Sequence, residues 1–182
     1  NMVEKKNKEA GKQLDVVAGK LAGQKTDPIQ AVSQFADDLD KSGIQVKKGK
    51  LSFKGSDFEG LPSVQSPLKL VWSRSLRAAK SGDALELHRM KRFIDNVVEY
   101  GVEGEGLRGN AERILKRFRF GIDTILDTQF PAYNRVNSVF SETIQELNKI
   151  GQSMGKRFRL GGEFANAQLG TVMRRILSQA KS

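Results

Sequence analysis

GDALELHRMKRFIDNVVEY at 82–100, NAERILKRFRFGIDTILDTQF at 110–130 and PAYNRVNSVFSETIQELNKI at 131–150 read as three consecutive amphipathic helices. The first repeats Leu87, Met90, Ile94 and Val97 at three- and four-residue steps, with Val98 beside them. In the second, Ile114, Leu115, Phe118, Ile122, Ile125 and Leu126 fall on one side, and Glu112, Lys116, Arg119, Asp123 and Asp127 are expected to face solvent. The third carries the longest stripe: Tyr133, Val136, Phe140, Ile144, Leu147 and Ile150. Such a period of about 3.6 residues buries one face of a helix and wets the other. The start signals agree with the stripes. Asp83 with Glu86 resembles a capping box, Asn110 is a side-chain cap, and Pro131 suits the first helical position, where its missing N–H costs nothing. Three helices with ordinary charged outer faces make a scaffold, and a scaffold argues for binding or assembly over chemistry.

The same signals extend the pattern upstream. Ser66-Pro67 is expected to open a helix with Leu68, Val71, Trp72 and Leu76 inward, ended by Ser81-Gly82. Asp27-Pro28 opens an earlier one, with Ile29, Val32, Phe35, Ala36 and Leu39 on one face and Gly43 as its stop. Between them the period changes to two. Ile44 and Val46 alternate with polar residues, Lys48-Gly49 turns, and Leu51 and Phe53 alternate again, which is a hairpin signal. Two strands alone are marginal in water, so this hairpin must lean on helices. Residues 56–65 read as a loop. Residues 1–26 are Lys-rich, with a weak stripe of Leu14, Val17, Ala18 and Leu21, and are expected to form an arm or a frayed helix. Beyond a basic, glycine-containing turn at 159–163, a last helix is expected at about 166–178, burying Leu169, Val172, Met173, Ile176 and Leu177. The expected fold is mainly α: an irregular bundle of five to six helices with one small β-hairpin near 44–54, in a single helical domain spanning 27–182.

Bulk composition bounds the possibilities. A chain of 182 residues with 38% hydrophobic and 29% charged residues can close one good core. No apolar run approaches the roughly 18 residues that a membrane helix needs. The absence of cysteine excludes disulfides, thiolate zinc sites and cysteine nucleophiles, and the single histidine, His88, excludes a multi-histidine metal site. Asn1 before Met2 is expected to be a cloning remnant, and the chain a domain of a longer polypeptide. With no export signal in this stretch, the expected location is a virion or the bacterial cytoplasm.

The net charge is +10, which attracts nucleic acid, anionic surfaces or acidic proteins. Its distribution is uneven. Residues 101–150 hold seven basic and seven acidic groups, whereas 151–182 hold six basic and one acidic. The candidate contacts to a nucleic acid or another anionic partner are Arg113, Lys116 and Arg117 on one helix flank, Lys156, Arg157 and Arg159 near the next helix end, and Arg174 and Arg175 on the last helix. Phe118, Phe120 and Phe158 are interleaved with them and suggest stacking on single strands, against the plainer alternative that Phe118 is core.

Other motifs weigh less. Gly104, Gly106 and Gly109 match G-x-G-x-x-G, but a dinucleotide fingerprint needs a strand before the loop, and Glu103 and Glu105 would repel a phosphate; a connection between antiparallel helices is the better reading. His88 is expected to be a solvated or half-buried helix residue, lacking a carboxylate and a nucleophile at helical spacing. Asp37, Asp38 and Asp40 are expected to form a solvated face, since a calcium loop needs irregular backbone and a closing glutamate. Glu142 and Glu146 lack the Glu-x-x-His pairs of a di-metal bundle. Neither catalytic residues nor a metal or cofactor are expected.

The order of the pieces carries a resemblance. FADDLDKSGIQVKKGKLSFKGSDFEGL, PLKLVWSRSL, HRMKRFID at His88–Asp95, FPAYN at Phe130–Asn134 and LGTVMRRILS at Leu169–Ser178 together resemble a helical module of large phage and prophage proteins, among them virion-associated, internal or ejected proteins and multi-domain polyvalent proteins. The resemblance covers about Asp27 to Ser178, rests on scaffold features and offers no catalytic residues to carry over. It implies a non-enzymatic structural or interaction domain, virion-internal or ejected with the genome. A protein partner is expected, self-association is expected from the long stripe of the helix that starts at Pro131, and the alternative is a nucleic-acid-binding module that uses the basic helix faces.

Overall fold

The computed structural model describes residues 2–103 and 109–153. Among these are six α-helices and one two-stranded antiparallel hairpin, in the order α1 (Met2–Gly19), α2 (Ile29–Asp40), β1 (Gln45–Lys47), β2 (Lys50–Ser52), α3 (Pro62–Ser81), α4 (Ala84–Glu103), α5 (Asn110–Gln129) and α6 (Pro131–Ser153). The chain is therefore mainly helical with one small hairpin, as the periodicity requires. The last expected helix, the basic turn before it, and Gly104 and Gly106 lie outside the described residues.

Contacts group the chain into two compact units. One holds α1 and α6; the other is Leu21–Gln129, with α2 to α5 and the hairpin. Residues 2–19 form a full helix that packs on α6, while 21–26 belong with the larger unit. In the smaller unit the two helices run antiparallel: Thr143 Oγ1 donates to Asn7 Oδ1 at 3.1 Å, and Gly11 lies against the Phe140 ring. Asn7, Ala10, Leu14 and Ala18 are buried on α1, Tyr133, Asn137, Ile144 and Leu147 on α6. The side chain at Ile150 is not described.

The larger unit is organised around Phe35. Its ring stacks on Phe118 of α5, with centroids 4.3 Å apart and planes 8° from parallel, and meets Trp72 of α3 at 5.9 Å. A single α2 residue thus joins three helices, and Leu39, Leu68, Val71, Leu87, Ile94, Leu115, Ile122 and Leu126 are buried in the same unit. Aromatic pairs of this kind add to the area they bury. The hairpin turns through Lys48 and Gly49, both at positive φ (51° and 76°), the geometry that a two-residue turn needs to match strand twist. It leans on α3: Trp72 Nε1 donates to the Gly49 carbonyl at 2.9 Å, and the Lys69 ammonium sits over the Phe53 ring.

Helix ends depart from expectation in instructive ways. α2 begins one residue late, with Pro28 as its cap, while Asp27 Oδ1 accepts from the Ile29 N–H. α3 begins at Pro62, four residues before the expected Ser66, because Pro62 already supplies the pre-set φ of a first turn; Pro67 is carried inside, at the loss of one backbone bond. Its buried positions are 64, 68, 71, 72, 75 and 78, so Ser75 takes the inward place and Leu76 is 37% exposed. Only half of the expected capping box forms: Asp83 Oδ1 accepts from the Leu85 N–H, but the Asp83 N–H goes to Ser81 Oγ. The α3–α4 turn is closed by Gly82 at φ 64° and strapped by residues 24–26. Thr26 N–H donates to the Gly82 carbonyl at 2.7 Å, and Ala84 N–H to the Gln24 carbonyl at 2.9 Å.

Candidate functional site

α5 has four working faces. The inner one is apolar and ends in the Phe118–Phe35 stack. A second faces α2, where Asp38, Lys41, Ser42, Asn110, Arg113, Ile114 and Arg117 line a hollow of about 250 Å³. Asp38 was expected on a solvated face; its side chain is only 6% exposed. It sits on the side of α2 that meets α5, and there it accepts from Arg117 Nη1 at 3.0 Å and Gln34 Nε2 at 3.2 Å, with Lys41 Nζ at 3.9 Å. Ser42 Oγ donates to the Asp38 carbonyl and accepts from Asn110 Nδ2 at 2.7 Å. Asn110, expected as a cap, thus ties the start of α5 to the end of α2.

The outer face of α5 carries Arg113, Lys116 and Phe120. Lys116 pairs with Glu112 one turn earlier at 2.5 Å. The two phenylalanines separate cleanly: Phe118 is core, and Phe120 is 70% exposed. Of the basic contacts expected from sequence, Arg113 and Arg117 come together at the α2–α5 hollow, and Lys116 lies one helical turn from Arg113. Lys156, Arg157, Arg159, Arg174 and Arg175, with Phe158, lie outside the described residues.

A third set of polar groups lies between α4 and α5. Arg119 and Asp123, expected to face solvent, are only about a quarter and a fifth exposed at their side chains. Asp123 accepts from Lys91 Nζ at 2.5 Å, and Arg119 grips Asp95 through Nε and Nη2 at 2.5 and 3.1 Å while its Nη1 lies 3.7 Å from Asp123. The result is a chain of alternating charge, Lys91–Asp123–Arg119–Asp95, across two helices. Burial lowers the Lys91 pKa against the pull of Asp123, and burial raises that of Asp95 against Arg119. His88, one turn before Lys91, is buried rather than half-solvated. Burial first, and then the charges of Lys91, Arg92 and Arg89, bring its pKa down to about 4, with Asp123 pulling the other way. A general base works best with a pKa near the working pH. This imidazole is a weak proton acceptor at neutrality, and the cluster as a whole reads as a structural clamp between α4 and α5.

Among the described residues no group of three or more His, Cys, Asp or Glu is placed to hold a metal ion. Every buried side-chain nitrogen or oxygen among them has a hydrogen-bond partner. No described helix is long and apolar enough to cross a membrane. The sequence did not give Asp38, Ser42 or Asn110 as neighbours of Arg113 and Arg117; Asp38 and Arg117 are 79 residues apart, and no local pattern pairs them. No family model, curated protein or solved structure matches this chain.

Proposed function

We propose that this chain is a non-enzymatic structural and interaction domain whose α5 face meets another macromolecule. The observation that carries this reading is the division of labour on α5. Its buried and half-buried polar groups are spent on holding α2 and α4, while an aromatic ring, Phe120, stands 70% exposed beside Arg113, Lys116 and Arg117. A large ring in solvent next to guanidinium groups is the composition of a recognition surface, where aromatic residues and arginine are enriched and anchor binding. A protein partner with an acidic, apolar patch, or a second copy of the chain, fits it. The setting, a phage or prophage protein carried in the particle or ejected with the genome, rests on the sequence resemblance over residues 27–178.

A second reading has the same face contacting single-stranded nucleic acid, with Phe120 as a stacking platform and the cations along the backbone. Two measurements on the full chain separate the readings. Sedimentation velocity over a concentration series reports self-association, and fluorescence anisotropy with single- and double-stranded oligonucleotides reports nucleic-acid binding at low and physiological salt. Concentration-dependent assembly that Phe120→Ser abolishes supports the protein-interaction reading. A monomer that binds single strands at physiological salt, and loses that binding with Phe120→Ser and Arg113→Gln, overturns it in favour of the second.

A further inference from the structure

A separate hollow of about 110 Å³ opens between α3 and α4, lined by Arg74, Arg77, Glu86, Arg89 and Met90. It shares no residue with the α2–α5 hollow. Arg74 and Arg77 are neighbours on successive turns of α3, and Glu86 and Arg89 on the first turns of α4; the tight αL turn at Gly82 brings the two helices side by side. Three guanidinium groups and one carboxylate therefore line the same hollow.

Arg117, Arg119, Lys91 and Lys116 each have a carboxylate within 4.0 Å. Arg74, Arg77 and Arg89 have none among the described residues, Glu86 included. Three like charges sharing one hollow with a single carboxylate repel, and an anion placed among them relieves that repulsion. Arg74 is also pre-positioned. Its guanidinium carbon lies 3.8 Å over the Phe93 ring, and a guanidinium stacked by its face keeps its in-plane N–H donors for a ligand. Met90, buried, supplies the apolar floor. Planar forks of this kind match the oxygens of a phosphate.

We propose that the α3–α4 hollow binds a phosphate group, held by Arg77 and Arg89 with Arg74 steadied by Phe93. The site does not depend on the α5 face. Glu86 gives it a sign: its carboxylate opposes the anion, so removing its charge must tighten binding while removing Arg77 or Arg89 must weaken it.

The test uses the full chain and three probes at matched ionic strength set with chloride: inorganic phosphate, pyrophosphate and a short single-stranded oligonucleotide. Calorimetry gives affinity, and Trp72 fluorescence gives the shift in unfolding midpoint. The expected result is binding that Arg77→Gln or Arg89→Gln weakens on the order of tenfold, the loss of one charge-assisted hydrogen bond. Glu86→Gln strengthens it several-fold, and Lys47→Gln on the exposed hairpin leaves it unchanged. Arg74 is left in place because it packs on Phe93. If inorganic phosphate and pyrophosphate bind with this pattern, the ligand is a free anion; if only the oligonucleotide does, the phosphate belongs to a nucleic-acid backbone. All three probes stabilising the protein no more than chloride, or Arg77→Gln and Arg89→Gln binding as well as the parent, would overturn the proposal.

Discussion

Replacing His88 by glutamine should flatten the acid side of the stability curve. In the folded chain the imidazole is buried beside Lys91, Arg92 and Arg89, and its pKa falls from 6.5 to about 4. In the unfolded chain it returns to its ordinary value. Between those two pH values the unfolded state carries a proton that the folded state refuses. Stability is therefore full above pH 6.5 and falls as the pH drops towards 4. By linkage, the part lost between pH 7.5 and 4.5 is roughly 2–3 kcal/mol, a large share of the stability of a small domain. Asp95 works in the opposite sense: burial raises its pKa, so the folded state holds that proton more tightly than the unfolded one. Both proteins share Asp95 and every other carboxylate, so the difference between their slopes isolates His88.

The assay is urea unfolding followed by Trp72 fluorescence, because Trp72 and His88 belong to the same compact unit. Each protein is measured at pH 7.5 and 4.5. His88→Gln will shift the absolute stability at both pH values; the change between them is the observable. The parent should lose roughly 2–3 kcal/mol more than the variant over that interval. Parallel losses, within about 0.5 kcal/mol, would show that the folded chain protonates His88 as readily as the unfolded one, and burial beside three cations would then be the wrong account of this helix.

Asp123→Leu takes the nearest carboxylate from the buried Lys91 ammonium and should cost about 3 kcal/mol, whereas Lys91→Met leaves Asp123 with Arg119 and some solvent and should cost clearly less; chemical denaturation of the two variants checks the asymmetry. Gly82→Ala should destabilise the larger unit by roughly 1–2 kcal/mol, since φ is +64° and a Cβ there would stand 3.0 Å from the Thr26 carbonyl oxygen; a thermal melt read at Trp72 suffices. Phe35→Ala should cost about 3–5 kcal/mol and Phe120→Ala less than about 0.5, because one ring is sandwiched between Phe118 and Trp72 and the other stands in solvent; equal costs would place Phe120 in the core.

Periodicity made the helices and the hairpin legible, because each of those elements needs only its own residues to declare itself. The Lys48-Gly49 turn, the Gly82 stop and the inward places of Phe35, Leu68, Ile94 and Phe118 all follow from spacing and backbone preference. What spacing could not supply was the partner across the interface. Asp38, Arg119 and Asp123 occupy positions that a helical wheel assigns to solvent, and each is drawn in by an opposite charge on a neighbouring helix. His88 is covered by the same helix pairing. For α1 the local stripe was too weak to choose between arm and helix, since its packing against α6 lies more than a hundred residues away. Arg113, Lys116 and Arg117 were legible as a basic flank; that Arg117 is committed to Asp38 was not.

Pairing of this kind lowers what the +10 charge offers to a ligand. Net charge counts groups, but recognition depends on which groups still lack a partner. Desolvating an already paired cation for a ligand means giving up its carboxylate first, so Arg117 and Lys116 offer an anion less than their number suggests. Arg74, Arg77 and Arg89 start from the opposite condition: they line one hollow, and none has a carboxylate within 4.0 Å among the described residues. Folding brings the three cations to one hollow, and the Phe93 ring steadies Arg74, so an arriving phosphate meets positive charge already assembled. The strongest anion site in the larger unit is therefore expected where the sequence has the less conspicuous basic spacing. RSLRAAK and ELHRMKR are ordinary helix segments until the turn at Gly82 lays one against the other.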